Sequence, residues 1–433
     1  MNVAYRPDIH FNHRLGQDPL PAAAGPQMVY ALLEVVAQGE SALGTQVPLN
    51  ICLVLDQSLS MRGEKMERVA EAARQVFRRM GPRDALSVVS FNDRATVVLP
   101  AQISPLAQHV DKAIDSIVPR GGTELATGIK AGLDELQRGR NLAGRAVSSL
   151  VLLTDGRTYG DEQVCLELAE RARAHEFLVT PFGVGDEWNE DLLETIAYRS
   201  GSRSELITDP AAIVGAFDRH IGELRMICGR QVQLTLRTAP ETRLAQVHRV
   251  APLIGRVELL PGPNVSEQTY LLGHLMLGES QRLLLEVVLP PVGGGLVDLV
   301  HCSLVWQQPD TRQSRLRADY LVTAPVDPFA GPTGDLDSEV RLGVEKVVAY
   351  KLQKRAWQDL EEGNLAQATS RLRMVATRLL AAGEPDLARA VQAEAERLER
   401  EGITSSIGTK QIKYGTRGLG RSHSAGSTGR MAT

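Results

Sequence analysis

Between residues 49 and 225, short apolar runs alternate with longer amphipathic ones, and that alternation leaves the chain very few folds. LNICLVLD (49–56), DALSVVSF (84–91), ATVVLP (95–100), AVSSLVLLTD (146–155), FLVTPFGVG (177–185) and SELI (204–207) have the length of strands. MERVAEAARQVFRRM (66–80), LAQHVDKAIDSI (106–117), ELATGIKAGLDELQ (124–137), DEQVCLELAERARAH (161–175) and NEDLLETIAYRS (189–200) have helical spacing. Several strand runs are apolar on both faces, as parallel strands must be when helices cover each side of a sheet. The segment is therefore predicted to be a doubly wound, mostly parallel α/β domain. In such a domain the ligand crevice lies at the carboxyl ends of the strands.

The pattern changes on both sides of this segment. From 231 to 324, short alternating strands divided by Pro and Gly predict an antiparallel β-sandwich, given the bounds 226–325. PQMVYALLEVVAQG (26–39) also reads as a strand. It does not fit a complete doubly wound sheet, so residues 26–48 are assigned to the sandwich, with the α/β domain inserted, and 1–25 form an N-terminal extension. PPVGGGL (290–296) reads as a hairpin connection. Residues 335–402 are strongly helical, with breaks at Gly363, Gly383 and Gly402 where a left-handed cap suits glycine. Three antiparallel helices are the simplest bundle. Residues 403–433 hold five Lys/Arg, ten Ser/Thr and no acid, and are expected to be a disordered tail. Within it, IKYGTRGL places apolar side chains around Thr416, so either strand addition to a sheet edge or phosphorylation read by a phosphothreonine-binding partner would suit it.

The chemistry concentrates where the first buried run ends. In CLVLDQSLSM, Asp56, Ser58 and Ser60 follow two residues apart, so three oxygen donors can face one point. PRGGTELATGI puts Thr123 between a Gly-Gly turn and a helix, and LLTDG puts Asp155 at the end of another buried strand. Each has an ordinary reading alone: helix caps for D-x-S-x-S and Thr123, a turn for Asp155-Gly156. Together they supply Asp56, Ser58, Ser60, Thr123 and Asp155, an all-oxygen set suited to Mg²⁺ or Mn²⁺. A cation held by two carboxylates and neutral hydroxyls keeps charge to spare for an outside acid.

These three segments, D-x-S-x-S (Asp56 to Ser60), G-G-T (Gly121 to Thr123) and T-D-G (Thr154 to Gly156), resemble the metal-ion-dependent adhesion site of von Willebrand factor A (VWA) domains. The resemblance spans roughly 49–225 and extends to FGVGDEWNEDLLETIA. The flanking regions are similar to bacterial members and, more distantly, to inter-alpha-trypsin inhibitor heavy chains. The resemblance implies a six-stranded sheet and direct metal ligation by Ser58, Ser60 and often Thr123. It implies that Asp56 and Asp155 act through water or hydrogen bonds, and that a partner's Asp or Glu completes the coordination. The rim expected to meet that partner comprises Gln57, Glu124, Arg157, Thr158, Asp186, Glu187 and Trp188, the tryptophan being either a contact anchor or a cover for the sheet.

Other functions find little support. No H-E-x-x-H, G-x-S-x-G or P-loop motif occurs, so a hydrolase is a minor alternative, as is a structural role with a vestigial site. A net charge of −4 argues against a nucleic-acid or membrane-surface protein. Cys52, Cys165, Cys228 and Cys302 lie far apart, without the spacing of a disulfide framework. With no signal-like N-terminus and no membrane-length apolar run, a cytoplasmic, non-enzymatic binding or scaffold protein is expected.

Overall fold

The strand Leu49–Asp56 is buried along its whole length, and a sheet assembles around it. In the computed structural model, which describes residues 7–39, 47–262, 264–309, 315–331 and 336–421, this strand pairs in parallel with Ala85–Phe91 on one side and Val147–Thr154 on the other. Beyond them lie Phe177–Val184, Glu205–Ile207 and one antiparallel edge strand, Ala95–Ile103, giving a six-stranded mixed sheet. Helices α1 (Glu64–Arg79), α2 (Ala107–Asp115), α3 (Leu125–Ala143), α4 (Glu162–Ala174), α5 (Glu190–Ser200) and α6 (Ile213–Arg225) complete the domain. The predicted strands and the first five helices are all present; α6 was not anticipated.

Helix α3 lies very close to the sheet because three of its inward positions are glycine. A Cβ at Gly132 would stand 2.6 Å from Val54, and one at Gly139 only 2.0 Å from the Asn50 carboxamide oxygen. The Asn50 amide in turn donates to the Leu136 carbonyl at 2.8 Å. The close approach fixes the start of α3, and hence Thr123, against the ends of the central strands. The four cysteines are buried free thiols, and burial pushes that of Cys52 up to about 12.

The second compact unit combines a sandwich with a helical domain. One sheet has five strands and the other six. Gln27–Gln38 lies in the five-stranded sheet between Asp8–Leu15 and Ser280–Leu289, so the α/β domain is an insertion in the sandwich. The N-terminal extension thus supplies a strand of its own, Asp8–Leu15, and Arg243–Ala251 is a further strand not foreseen. Residues 290–294 join strands of different sheets, so they are not a hairpin turn.

Four helices follow, not three: α7 (Ser338–Glu361), α8 (Leu365–Ala381), α9 (Pro385–Glu401) and α10 (Ser406–Gly418). Helix α10 corrects the expectation of a disordered tail from 403; residues 422–433 of that tail lie outside the described residues. Its few apolar residues suffice because polar anchors supplement them. The Ser405 hydroxyl accepts from Gly408 N at 3.0 Å, and the Glu394 carboxylate receives Ser405 N at 2.8 Å, capping the helix. Buried Lys346 of α7 donates to the Leu419 carbonyl at 2.7 Å, while Ile412 and Leu419 join the core formed by Val340, Val347, Leu372 and Val391. Thr416 is wholly buried, so the proposed modification there meets no accessible hydroxyl in this fold.

Candidate functional site

Three loops leave the carboxyl ends of the strands and meet at one crevice. At the end of the central strand, the Asp56 carboxylate is buried and spans two loops: Oδ1 accepts from Ser58 N at 2.7 Å and Oδ2 from the Thr154 hydroxyl at 2.7 Å. Burial pushes its pKa up to about 6, against the pull of those hydrogen bonds and with a contribution from the neighbouring Asp155 charge. A short 3₁₀ turn, Leu59–Met61, then presents the two serines. The Ser58 and Ser60 hydroxyl oxygens lie 3.0 Å apart, and Ser60 donates to Asp155 Oδ1 at 2.7 Å. The other Asp155 oxygen receives the ammonium of Lys65.

Thr123 faces the same crevice from the third loop. A Cβ on Gly156 would stand 3.0 Å from the Thr123 hydroxyl, so glycine at 156 leaves that hydroxyl room at the crevice. The helix-cap readings fail here. Neither the 3₁₀ turn nor α1 has a side-chain cap, and α3 has Glu124, not Thr123, at its N-cap, also without a side-chain bond. The loops of all five predicted site residues thus converge: Asp56, Ser58, Ser60 and Asp155 lie in one hydrogen-bonded cluster, and the Thr123 hydroxyl lies against Gly156 beside it.

A supporting frame holds the loops in place. Asp93 receives Gly122 N on both carboxylate oxygens at 3.2 Å, and the Asn92 amide donates to the Arg120 carbonyl at 2.9 Å. Gly121 takes φ +75°, and a Cβ there would come within 2.6 Å of Asp93. On the other side, Asp161 accepts from Ala126 N at 2.7 Å and binds the Thr158 hydroxyl, which itself accepts from Leu125 N at 3.3 Å. Asp161 therefore caps α3 from a distant part of the chain. Sequence reasoning missed Asn92, Asp93, Asp161 and Lys65. Asn92-Asp93 at another strand end was a usable signal, as was a lysine in the first turn of α1, where the helix dipole disfavours a cation.

The expected rim divides in two. Glu124, Arg157, Asp186 and Glu187 are exposed, and Arg157 Nε donates to the Glu187 carbonyl at 3.1 Å. Gln57, Thr158 and Trp188 are buried. Trp188 donates to the Gly185 carbonyl at 2.9 Å and lies against Gly183, where a Cβ would meet its ring at 2.2 Å. It covers the sheet and offers no contact anchor. The exposed apolar side chains next to the site are instead Leu59 (49%) and Tyr159 (81%).

Comparison with known proteins agrees with this fold. Residues 50–215 match the von Willebrand factor type A domain, and residues 338–422 match the Sll0103-like C-terminal alpha-helical domain. Over 334 residues the chain is 30% identical to the Synechocystis protein sll0103, covering 76% of this chain and 78% of that one. The chain belongs to the Sll0103-like VWA family. Human inter-alpha-trypsin inhibitor heavy chain H4 is 31% identical over 118 residues, but the match spans only 13% of the heavy chain. A solved structure described as von Willebrand factor type A from Catenulispora acidiphila aligns over 96% of this chain and 98% of its own, with TM-score 0.74 at 17% identity. That likeness concerns the fold. VWA domains commonly mediate protein–protein interaction, and many carry a divalent cation at this crevice.

Proposed function

We propose that the crevice binds a divalent cation, Mg²⁺ or Mn²⁺, and that the loaded site captures an Asp or Glu side chain of a partner protein. The observation that carries this reading is the oxygen chain Ser58–Ser60–Asp155. Its Ser58–Ser60 separation of 3.0 Å matches the edge of a Mg²⁺ octahedron, about 3 Å for metal–oxygen distances near 2.1 Å, and the 2.7 Å hydrogen bond from Ser60 to Asp155 orients the second hydroxyl. The donors are oxygen only, three of them uncharged, as hard dications prefer.

In this reading Ser58, Ser60 and Thr123 ligate the cation. Asp56 and Asp155 orient the hydroxyls and neutralise charge through hydrogen bonds or water. The cation itself supplies an electrophilic position for the partner's carboxylate. Glu124, Arg157, Asp186 and Glu187, with Leu59 and Tyr159, form the surface around that position. Buried Gln57 and Thr158 support the loops from beneath.

The role that follows is a metal-dependent binding or scaffold protein in bacterial signalling or complex assembly, without catalysis. We assign it to the cytoplasm, where four unpaired cysteines remain thiols. Among the described residues no helix is long and apolar enough to cross a membrane. A catalytic reading would need an accessible nucleophile and base. Among the described residues, the hydrogen-bonded pair Ser149 and His220 at 3.3 Å lies inside the core of the α/β domain, out of reach of a substrate.

A capture experiment tests the proposal. Wild-type protein should retain a partner in Mg²⁺ and release it with chelator, and a Ser58→Ala, Asp56→Ala variant should not retain it. A partner held equally by wild type and variant, with or without chelator, contradicts it.

A further inference from the structure

Asp155 carries a side chain with no solvent exposure, and one of its two oxygens is satisfied by a residue outside the predicted site. That residue is Lys65, whose ammonium contacts Asp155 Oδ2 while 31% of its side chain remains exposed. Ser60 donates to the other oxygen at 2.7 Å, so the carboxylate is fully engaged between a hydroxyl and a cation. The placement of Lys65 works against local preference, because a lysine in the first turn of α1 faces the positive end of the helix dipole. Glu64 and Glu67 share that turn and would draw the ammonium outward. It points inward nonetheless, because a buried carboxylate left unpaired is costlier than the dipole repulsion.

We propose that Lys65 is the resident counter-ion of the crevice, holding Asp155 until a divalent cation displaces it, and thereby sets the cation affinity of the site. The inference rests on the cation-binding reading above and adds a competitor to it. An ammonium on Asp155 and a dication held by Ser58, Ser60 and Thr123 would repel within a few ångströms, so binding requires Lys65 to withdraw. The exposed third of its side chain gives it a route to solvent. The consequence is a threshold: the site stays organised at low cation concentration and loads only when the cation outcompetes the lysine.

Calorimetry of the full chain with MgCl₂ and MnCl₂ tests this with Lys65→Met, Lys65→Arg and Asp155→Ala. Removing the competitor should tighten binding on the order of tenfold in Lys65→Met, the effect of about 1.4 kcal/mol, whereas Lys65→Arg, which keeps a cation there, should not tighten it. Lys65→Met should also melt lower than wild type in chelator and recover in millimolar Mg²⁺, because the ion then takes over the pairing of Asp155. If Lys65→Met does not fold without metal, Lys65→Gln keeps a neutral donor for the oxygen and should likewise bind tighter than wild type. Equal affinity in wild type and the Lys65 variants, with loss in Asp155→Ala, overturns the role of Lys65 and leaves the cation site standing. Absence of binding in every protein, Lys65→Met included, overturns both.

Discussion

Replacing Asp161 by alanine should damage the site without removing any proposed ligand. Its carboxylate accepts from Ala126 N at 2.7 Å, inside the first turn of α3, and also binds the Thr158 hydroxyl. Both partners are buried, as is Asp161 itself. The α3 N-terminus has no local side-chain cap to take over. Loss of a hydrogen bond to a charged group costs about 1.5–3 kcal/mol, and a stranded N–H adds to it, so about 3 kcal/mol is expected for Asp161→Ala. Asp161→Asn keeps an acceptor in place and should cost about 1 kcal/mol. Urea unfolding followed by far-UV dichroism reads the difference in the α/β domain. Because Thr123 stands directly before α3, calorimetry should also show weaker Mg²⁺ binding in Asp161→Ala. A stability within about 0.5 kcal/mol of wild type would refute the capping argument.

Three further outcomes follow from buried groups. His220 lies in the α/β core, and burial pushes its imidazole down from 6.5 to about 4, with Arg203 and Arg219 adding to the shift and Glu205 opposing it. The unfolded chain takes up the proton first, so stability is fully present above pH 6.5 and is lost between 6.5 and about 4, by about 3 kcal/mol from this residue; denaturation at several pH values should show a shallower loss in His220→Phe. Thr416 is buried with a hydroxyl that has no partner among the described residues. Thr416→Val should therefore be neutral or slightly stabilising and Thr416→Glu should cost about 3 kcal/mol or more in thermal or chemical unfolding. Gly183→Ala drives a methyl into Trp188, costing about 1–3 kcal/mol and shifting the tryptophan emission.

The α/β architecture was legible because its central strands, such as Leu49–Asp56, are buried on both faces and carry uninterrupted apolar runs. The five oxygen donors were legible for a related reason: each follows a strand end or a glycine turn, and the fold class gathers strand ends. Local pattern was a poorer guide elsewhere. Arg243–Ala251 alternates Leu and Val with Arg, Gln and His, and its pairing with Ser280–Leu289 includes register shifts. Helix α10 is glycine-rich and basic, and its order comes from Glu394, Lys346 and the core residues that Ile412 packs among, such as Val340 and Val391, none of which a local window contains. The frame around the site was hidden for the same reason. Asp161 reaches Ala126 across 35 positions and Lys65 reaches Asp155 across 90. Of the two readings open for Trp188 in its polar loop, the structure bears out the cover for the sheet: the room above Gly183 admits the ring.

The central claim is that Ser58, Ser60 and Thr123, backed by Asp56 and Asp155, hold one divalent cation. Mn²⁺ titration followed by electron paramagnetic resonance counts bound ions directly and needs no partner. The account predicts one saturable site in the wild-type chain, competed by Mg²⁺ and abolished by Ser58→Ala with Thr123→Ala while the circular dichroism spectrum is unchanged. No bound Mn²⁺ at millimolar concentration, or a site that survives both substitutions, would contradict it.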